Sequence, residues 1–105
     1  MEYFAAMNTH YLAPLFTPES IALFGASDRE NSVGGIVFRN LLSSGYQGRI
    51  YAINPKHSEV QVQKALASLD DIEGPVDLAV VATPAATIPS IVEACGEAGI
   101  RMMLI

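Results

Sequence analysis

The sequence predicts an α/β fold, a parallel sheet with flanking helices. Short apolar runs at Ile21–Phe24, Ile50–Asn54 and Asp77–Thr83 have strand length, and Leu78–Ala82 is apolar on both alternations, as a strand covered on both faces must be. Segments with helical spacing follow the first and third runs. Val33, Val37 and Leu41 recur every four residues with Phe38 and Leu42 beside them; Ile88, Ile91, Val92 and Cys95 share a second stripe. Strands alternating with helices through short connections imply parallel pairing and right-handed crossovers. The first strand is expected at the centre, between those at 50–54 and 78–82.

Residues 1–19 read as a lead-in. Tyr11, Leu12, Leu15 and Phe16 can pack on the domain, and Pro14 and Pro18 punctuate. The domain proper covers residues 20–105. After the first strand, Gly25 opens a polar loop that ends in Gly34-Gly35 and feeds the first helix, which Gly45 stops. Gly48 marks a turn, and Pro55 ends the second strand because proline cannot continue a ladder. Val60 and Val62 alternate with polar residues as a short edge strand does, and Leu66, Leu69 and Ile72 suit a turn of helix. Gly74-Pro75 breaks the chain before the third strand. Pro89 is tolerable in the first turn of the second helix, and Gly99 stops that helix. Met102–Ile105 begins another buried strand, and the sequence ends inside that apolar run. The domain is therefore expected to be incomplete, a piece of a longer polypeptide.

Composition limits the function. Half of the 105 residues are hydrophobic and 16% are charged, which excludes a disordered chain. A net charge of −5 argues against a nucleic-acid surface, which needs a basic face. The single cysteine, Cys95, permits no internal disulfide and is expected in the core. No stretch reads as a signal peptide or a membrane span, so cytoplasm is the expected compartment.

In an open parallel sheet, ligands bind beyond the carboxyl ends of the strands. Three loops fall at that edge: Gly25–Gly35, Asn54-Pro55-Lys56 and Thr83-Pro84-Ala85. The first joins a buried strand to a helix N-terminus, where unpaired N–H groups and the macrodipole favour a phosphate. It is not the dinucleotide fingerprint: Gly-x-Gly-x-x-Gly requires glycines where Ser27 and Glu30 stand. The loop offers Ser27, Ser32 and Arg29 instead. The second loop carries Lys56 where a nicotinamide site has an acid for the ribose hydroxyls, which favours an extra phosphate near the ribose.

With those residues in view, the chain resembles the CoA-binding domain of the NDP-forming acyl-CoA synthetase superfamily, which includes the alpha subunit of succinyl-CoA synthetase. The resemblance rests on Leu15-Phe16-Thr-Pro18-Glu-Ser20-Ile-Ala22, Gly25-Ala-Ser-Asp28, Val33-Gly34, Gly45-Tyr46-x-Gly48-Arg49-Ile-Tyr51-Ala-Ile-Asn54-Pro-Lys56 and Gly74-Pro-Val-Asp77-Leu-Ala-Val-Val-Ala-Thr83-Pro84. It departs from the family pattern where a glycine is usual near Val62 and a proline near Ala67. The resemblance implies a Rossmann-like sheet and a site for CoA or acyl-CoA. Gly25, Ala26, Ser27, Arg29, Val33 and Gly34 would meet its phosphates; Asn54, Pro55, Lys56, Thr83 and Pro84 would line the adenosine side. It implies as partners the other domains of a parent chain or a partner subunit, and ATP or ADP would bind only there. Two parents fit: an acyl-CoA synthetase working through a phosphohistidine, and a synthetase-like protein lysine acetyltransferase. Alone, the chain is expected to carry no catalytic residue, no metal, and an apolar strand that favours homo-oligomers.

Each residue also has an ordinary reading. Ser27 can cap the helix or bond within its loop, Lys56 can be a solvated lysine, and Arg29 can contact only water. Asp28 can place its carboxylate against helix N–H groups and receives no ligand role. His10 and His57 read as exposed loop histidines, and Asp70, Asp71 and Glu73 as an acidic turn without metal-ligand spacing. Two other functions remain open: a nicotinamide-dependent oxidoreductase domain, and a regulatory CoA- or nucleotide-sensing domain that acts through partner contacts.

Overall fold

The computed structural model describes residues 18–105. Most of the expected lead-in, with His10 and the apolar residues Tyr11 to Phe16, lies outside the described residues. Six strands form one sheet: β1 (Ser20–Phe24), β2 (Arg49–Ile53), β3 (Glu59–Val60), β4 (Gln63–Leu66), β5 (Leu78–Val81) and β6 (Met102–Leu104). Their order is β3-β4-β2-β1-β5-β6, and every pairing is parallel except the β3–β4 hairpin. As expected, β1 is central. Ile21 pairs with Ile50 on one side and Leu78 on the other, and all five residues of β1 are buried.

Alternation along the strands divides the core into two layers. Ala22, Phe24, Ala79 and Val81 face Cys95, with Ile88 and Ile91 against them; these last three belong to helix α2 (Ile88–Glu97). Leu23, Ala52, Val60 and Ala65 face Phe38, with Val37 and Leu41 against them, all three from helix α1 (Val33–Ser43). One helix therefore covers each face. The connection from β1 runs over one face to β2, and the connection from β5 over the other to β6, so the winding reverses between β1 and β5. This is a Rossmann-like, doubly wound arrangement.

Helix α1 begins where Ser32 Oγ accepts the Gly35 N–H at 3.0 Å, and Gly45 beyond its end adopts φ +83°. Pro89 falls in the first turn of α2, where its missing N–H costs nothing. Two ends of the α1 stripe differ from expectation. Val33 is 66% exposed and Leu42 40%; the buried residues of the helix are Gly34 and Gly35 in its first turn and Phe38 in its middle. Similarly, the terminal run is not buried throughout: Met102 and Met103 are half-buried on the edge strand, while Leu104 and Ile105 are exposed.

The segment after β2 differs most. Residues 59–66 form a hairpin whose two-residue turn is Gln61-Val62. Val62 is not on an edge strand, and Leu66 is not in a helix: it closes β4, where its carbonyl accepts the Asn54 N–H at 2.8 Å. Only Leu69–Asp71 makes a helical turn, of the 3-10 kind.

Candidate functional site

The reversal of winding opens a crevice between the carboxyl ends of β1 and β5. Gly25, at φ +91°, turns the chain out of β1, and a Cβ there would lie 2.5 Å from the Ala82 carbonyl oxygen. Gly34 is also a close approach, since a Cβ would run into the Gly25 carbonyl oxygen. These two glycines bring the loop, the helix start and the end of β5 together.

Three clefts meet around this point. One of about 560 Å³ has apolar walls from Phe24, Ile53, Leu69 and Ile91, with Lys56, Asp70 and Thr83 at its polar positions. A second, of about 540 Å³, lies over the start of α1 and is lined by Ser27, Arg29, Val33, Gly34, Ile88 and Ile105, among others. The third, of about 330 Å³, is polar and gathers Ser27, Asp28, Arg29, Asn54, Lys56 and His57. Thr83 and Pro84 belong to both of the larger clefts. Thr83 Oγ1 is buried and has no hydrogen-bond partner among the described residues.

The hydrogen bonds separate residues that hold the loops from residues that face the clefts. Asn54 ties the loops: its Nδ2 donates to the Ala26 carbonyl at 3.0 Å, and its Oδ1 accepts the Lys56 and His57 N–H groups at 2.8 and 3.0 Å. It shapes the second loop and leaves Lys56 free to project. Ser27 Oγ accepts the Arg29 N–H at 3.0 Å, so Ser32, not Ser27, caps the helix. Asp28 departs from its expected place. Its carboxylate accepts the Gln61 N–H at 2.5 Å rather than any helix N–H. Ala26 contributes only backbone, because its side chain is buried in the core.

Of the anticipated residues, Gly25, Ser27, Arg29, Val33, Gly34, Pro55, Lys56, Thr83 and Pro84 border the clefts, and Asn54 lines the polar one while tying the loops. Sequence reasoning missed Leu69, Asp70, Thr87 and Ser90, which border the large cleft. Thr87 and Ser90 were legible in principle, as small polar residues at the start of the helix that follows the third loop. His57, read as an exposed loop residue, borders the polar cleft. Gln61 was missed altogether, because the fold brings it to the first loop from the hairpin.

The perturbed ionisations lie away from the clefts. Tyr46 is held above the ordinary tyrosine value by burial, with Asp77 and Glu19 adding to the effect, and its hydroxyl donates to the Pro18 carbonyl at 2.5 Å. Burial likewise raises the Cys95 thiol, consistent with its expected core role.

Comparison with known proteins agrees with this geometry. Residues 19–105 match a family model described as a CoA binding domain. The chain is 36% identical over 96 residues to the alpha subunit of the ADP-forming acetate–CoA ligase I of Pyrococcus furiosus, covering 88% of the chain and 21% of that protein. It is 39% identical over 84 residues to the ADP-forming acetate–CoA ligase of Methanocaldococcus jannaschii, covering 80% of the chain and 12% of that protein. Among solved structures, acetyl-coenzyme A synthetase 1 of Ca. Korarchaeum cryptofilum, in complex with phosphate and ADP, aligns with a TM-score of 0.83 at 36% identity, over 88% of this chain and 20% of that one. The chain thus spans about a fifth or less of the length of these relatives.

Proposed function

The chain belongs to the CoA-binding domain family, and we propose that it holds CoA or an acyl-CoA thioester for a larger NDP-forming acyl-CoA synthetase. The observation that carries this reading is the meeting of an apolar cleft and an N–H-bearing loop at Gly25, joined through Ser27, Arg29 and Lys56 to a polar pocket that holds two cations and the Asp28 carboxylate. Those are the surfaces that an adenine, a diphosphate and a separate phosphate monoester require. The ligand fits the chemistry at hand: Thr83 Oγ1 is a buried polar atom in want of a partner where the clefts join, and such an atom costs about 1–3 kcal/mol until it finds one.

In this reading the base lies between the apolar walls of the large cleft, and the diphosphate meets the loop between β1 and α1. Arg29, Lys56 and His57 border the pocket for the 3′-phosphate. The pantetheine arm follows Val33, Ile88 and Ile105. Each interaction at the helix start contributes roughly 0.3–1 kcal/mol at an exposed site, so affinity is distributed over the loops. The chain binds and orients; the phosphoryl chemistry with ATP or ADP belongs to other domains or a partner subunit of the parent. A synthetase-like protein acetyltransferase parent would use the same ligand. Cytoplasm, where CoA thioesters are made and used, is the proposed compartment.

Calorimetric titration with CoA, 3′-dephospho-CoA, NADH and ADP tests the reading. CoA is expected to bind most tightly, because it alone has groups for all three clefts. Tighter binding of NADH would reject the CoA reading in favour of a nicotinamide site.

A further inference from the structure

Gln61 lies on the tip of the β3–β4 hairpin, yet it is fastened to the loop between β1 and α1. Its Nε2 donates to the Ser27 and Gly35 carbonyls, each at 2.9 Å, and its backbone N–H donates to Asp28 Oδ1 at 2.5 Å. Chemistry fixes the orientation of the amide, since both partners are carbonyls and only accept. One side chain therefore ties the beginning of the loop to the first turn of α1.

Two further carbonyls of the loop are held by side-chain donors, while the Arg29 and Gly35 N–H groups are taken by Ser27 Oγ and Ser32 Oγ. Asn54 Nδ2 takes the Ala26 carbonyl, and Ser32 Oγ donates to the Arg29 carbonyl, each at 3.0 Å. Carbonyls 26, 27, 29 and 35 are thus all drawn to side-chain donors. Among the described residues, the N–H groups of Ala26, Ser27, Val33 and Gly34 meet no acceptor. A loop that faces an anion needs this sorting, because a carbonyl turned toward a phosphate repels it and an N–H attracts it.

The turn that delivers Gln61 is unusual. Gln61 and Val62 adopt φ +48° and +65°, a pair of left-handed residues that two-residue hairpins ordinarily fill with Asn and Gly. Backbone held in a sparsely populated region is an indication of function when its surroundings over-determine it, and three hydrogen bonds do so here.

We infer that Gln61 is a positioning residue: by holding the Ser27 and Gly35 carbonyls it sets the loop so that its N–H groups face the ligand's diphosphate. The inference rests on the CoA reading for the ligand, but not for the clamp itself. Gln61→Met keeps the length and removes the donors; Gln61→Glu sets a carboxylate against two carbonyls. In the full ligand-free chain, both variants should speed amide hydrogen exchange over residues 27–35 while exchange in β1 stays slow. CoA should bind about tenfold more weakly, the loss expected from two displaced hydrogen bonds. Adenosine 3′-phosphate, which lacks the diphosphate, should keep its affinity within about twofold, a contrast that general destabilisation would not produce. Unchanged exchange over 27–35 in both variants, or equal losses for the two ligands, overturns the inference. Failure of the unaltered chain to bind CoA would overturn the CoA reading, and the exchange of the loop would still decide the clamp.

Discussion

Val62 carries the clearest local cost in the chain. A β-branched residue at φ +65° with its side chain 85% exposed pays the left-handed penalty of about 1–2 kcal/mol without compensating burial. Glycine removes that penalty and adds roughly 0.5–1 kcal/mol of unfolded-state entropy. Val62→Gly should therefore stabilise the chain by about 0.5–1 kcal/mol, raising its thermal midpoint by roughly 3–6 °C; a lower midpoint in a calorimetric scan would refute the argument. Gly34 works in the opposite sense. Its missing Cβ makes room for the Gly25 carbonyl, so Gly34→Val must push α1 away from β1, an overpacking cost of about 1–3 kcal/mol. It should weaken CoA more than Ser27→Ala does, since the latter deletes only the bond to the Arg29 N–H. Lys56→Glu should weaken CoA more than 3′-dephospho-CoA if the lysine meets the 3′-phosphate. Equal losses in the two titrations would move Lys56 to the diphosphate.

At the scale of elements, legibility followed the strength of the local signal. The strands β1, β2 and β5 are apolar runs between breakers, with β1 buried throughout, β5 nearly so and β2 at its carboxyl end. Both helices were found from their stripes, with errors only at Val33 and Leu42; at the helix start the close approach to β1 is made by Gly34, which has no apolar side chain to mark it. The hairpin was not legible. Gln61-Val62 lacks the Asn-Gly chemistry that announces such a turn, and Val60-x-Val62 imitates a strand's alternation. Of the site, the three loops were readable from their place at the strand ends; Gln61 and Asp70 reach it only through tertiary packing. The turn between α1 and β2 offers a test at this scale. Tyr46 closes it over Gly48 and bonds to Pro18, and its ionisation lies above the ordinary value of 10.0 in the folded chain. The neutral phenol is thus favoured by folding, so its contribution is fully present below pH 10 and declines as pH rises through the folded value. Alkaline unfolding monitored by circular dichroism should become shallower in Tyr46→Phe, and an unchanged profile would show that other groups govern it.

For the molecule as a whole, a site assembled from the ends of β1, β2 and β5 makes ligand affinity a property of the complete sheet. No loop can bind CoA well unless β1 holds its neighbours in register, so a ligand that spans the clefts should stabilise the folded state globally. At a free CoA concentration a hundredfold above its Kd, linkage gives about 2.7 kcal/mol. For a domain of this size that raises the thermal midpoint by roughly 10–20 °C, measurable in the same scans used for Val62→Gly. Binding should not lead to turnover. The cleft over the helix start is lined by Val33, Ile88 and Ile105, apolar groups that can guide a thioester but cannot attack it, and its hydroxyls, Ser27, Ser32 and Thr83, share that lining with no histidine to activate them. His57 borders the polar pocket instead, on the side proposed for the ribose phosphate. Incubated with acetyl-CoA, ADP and phosphate, the pure chain is expected to form no ATP while its midpoint rises with the thioester. ATP above the level of a protein-free control would mean that these residues do more than hold the ligand, and a midpoint indifferent to CoA would mean that they do not hold it.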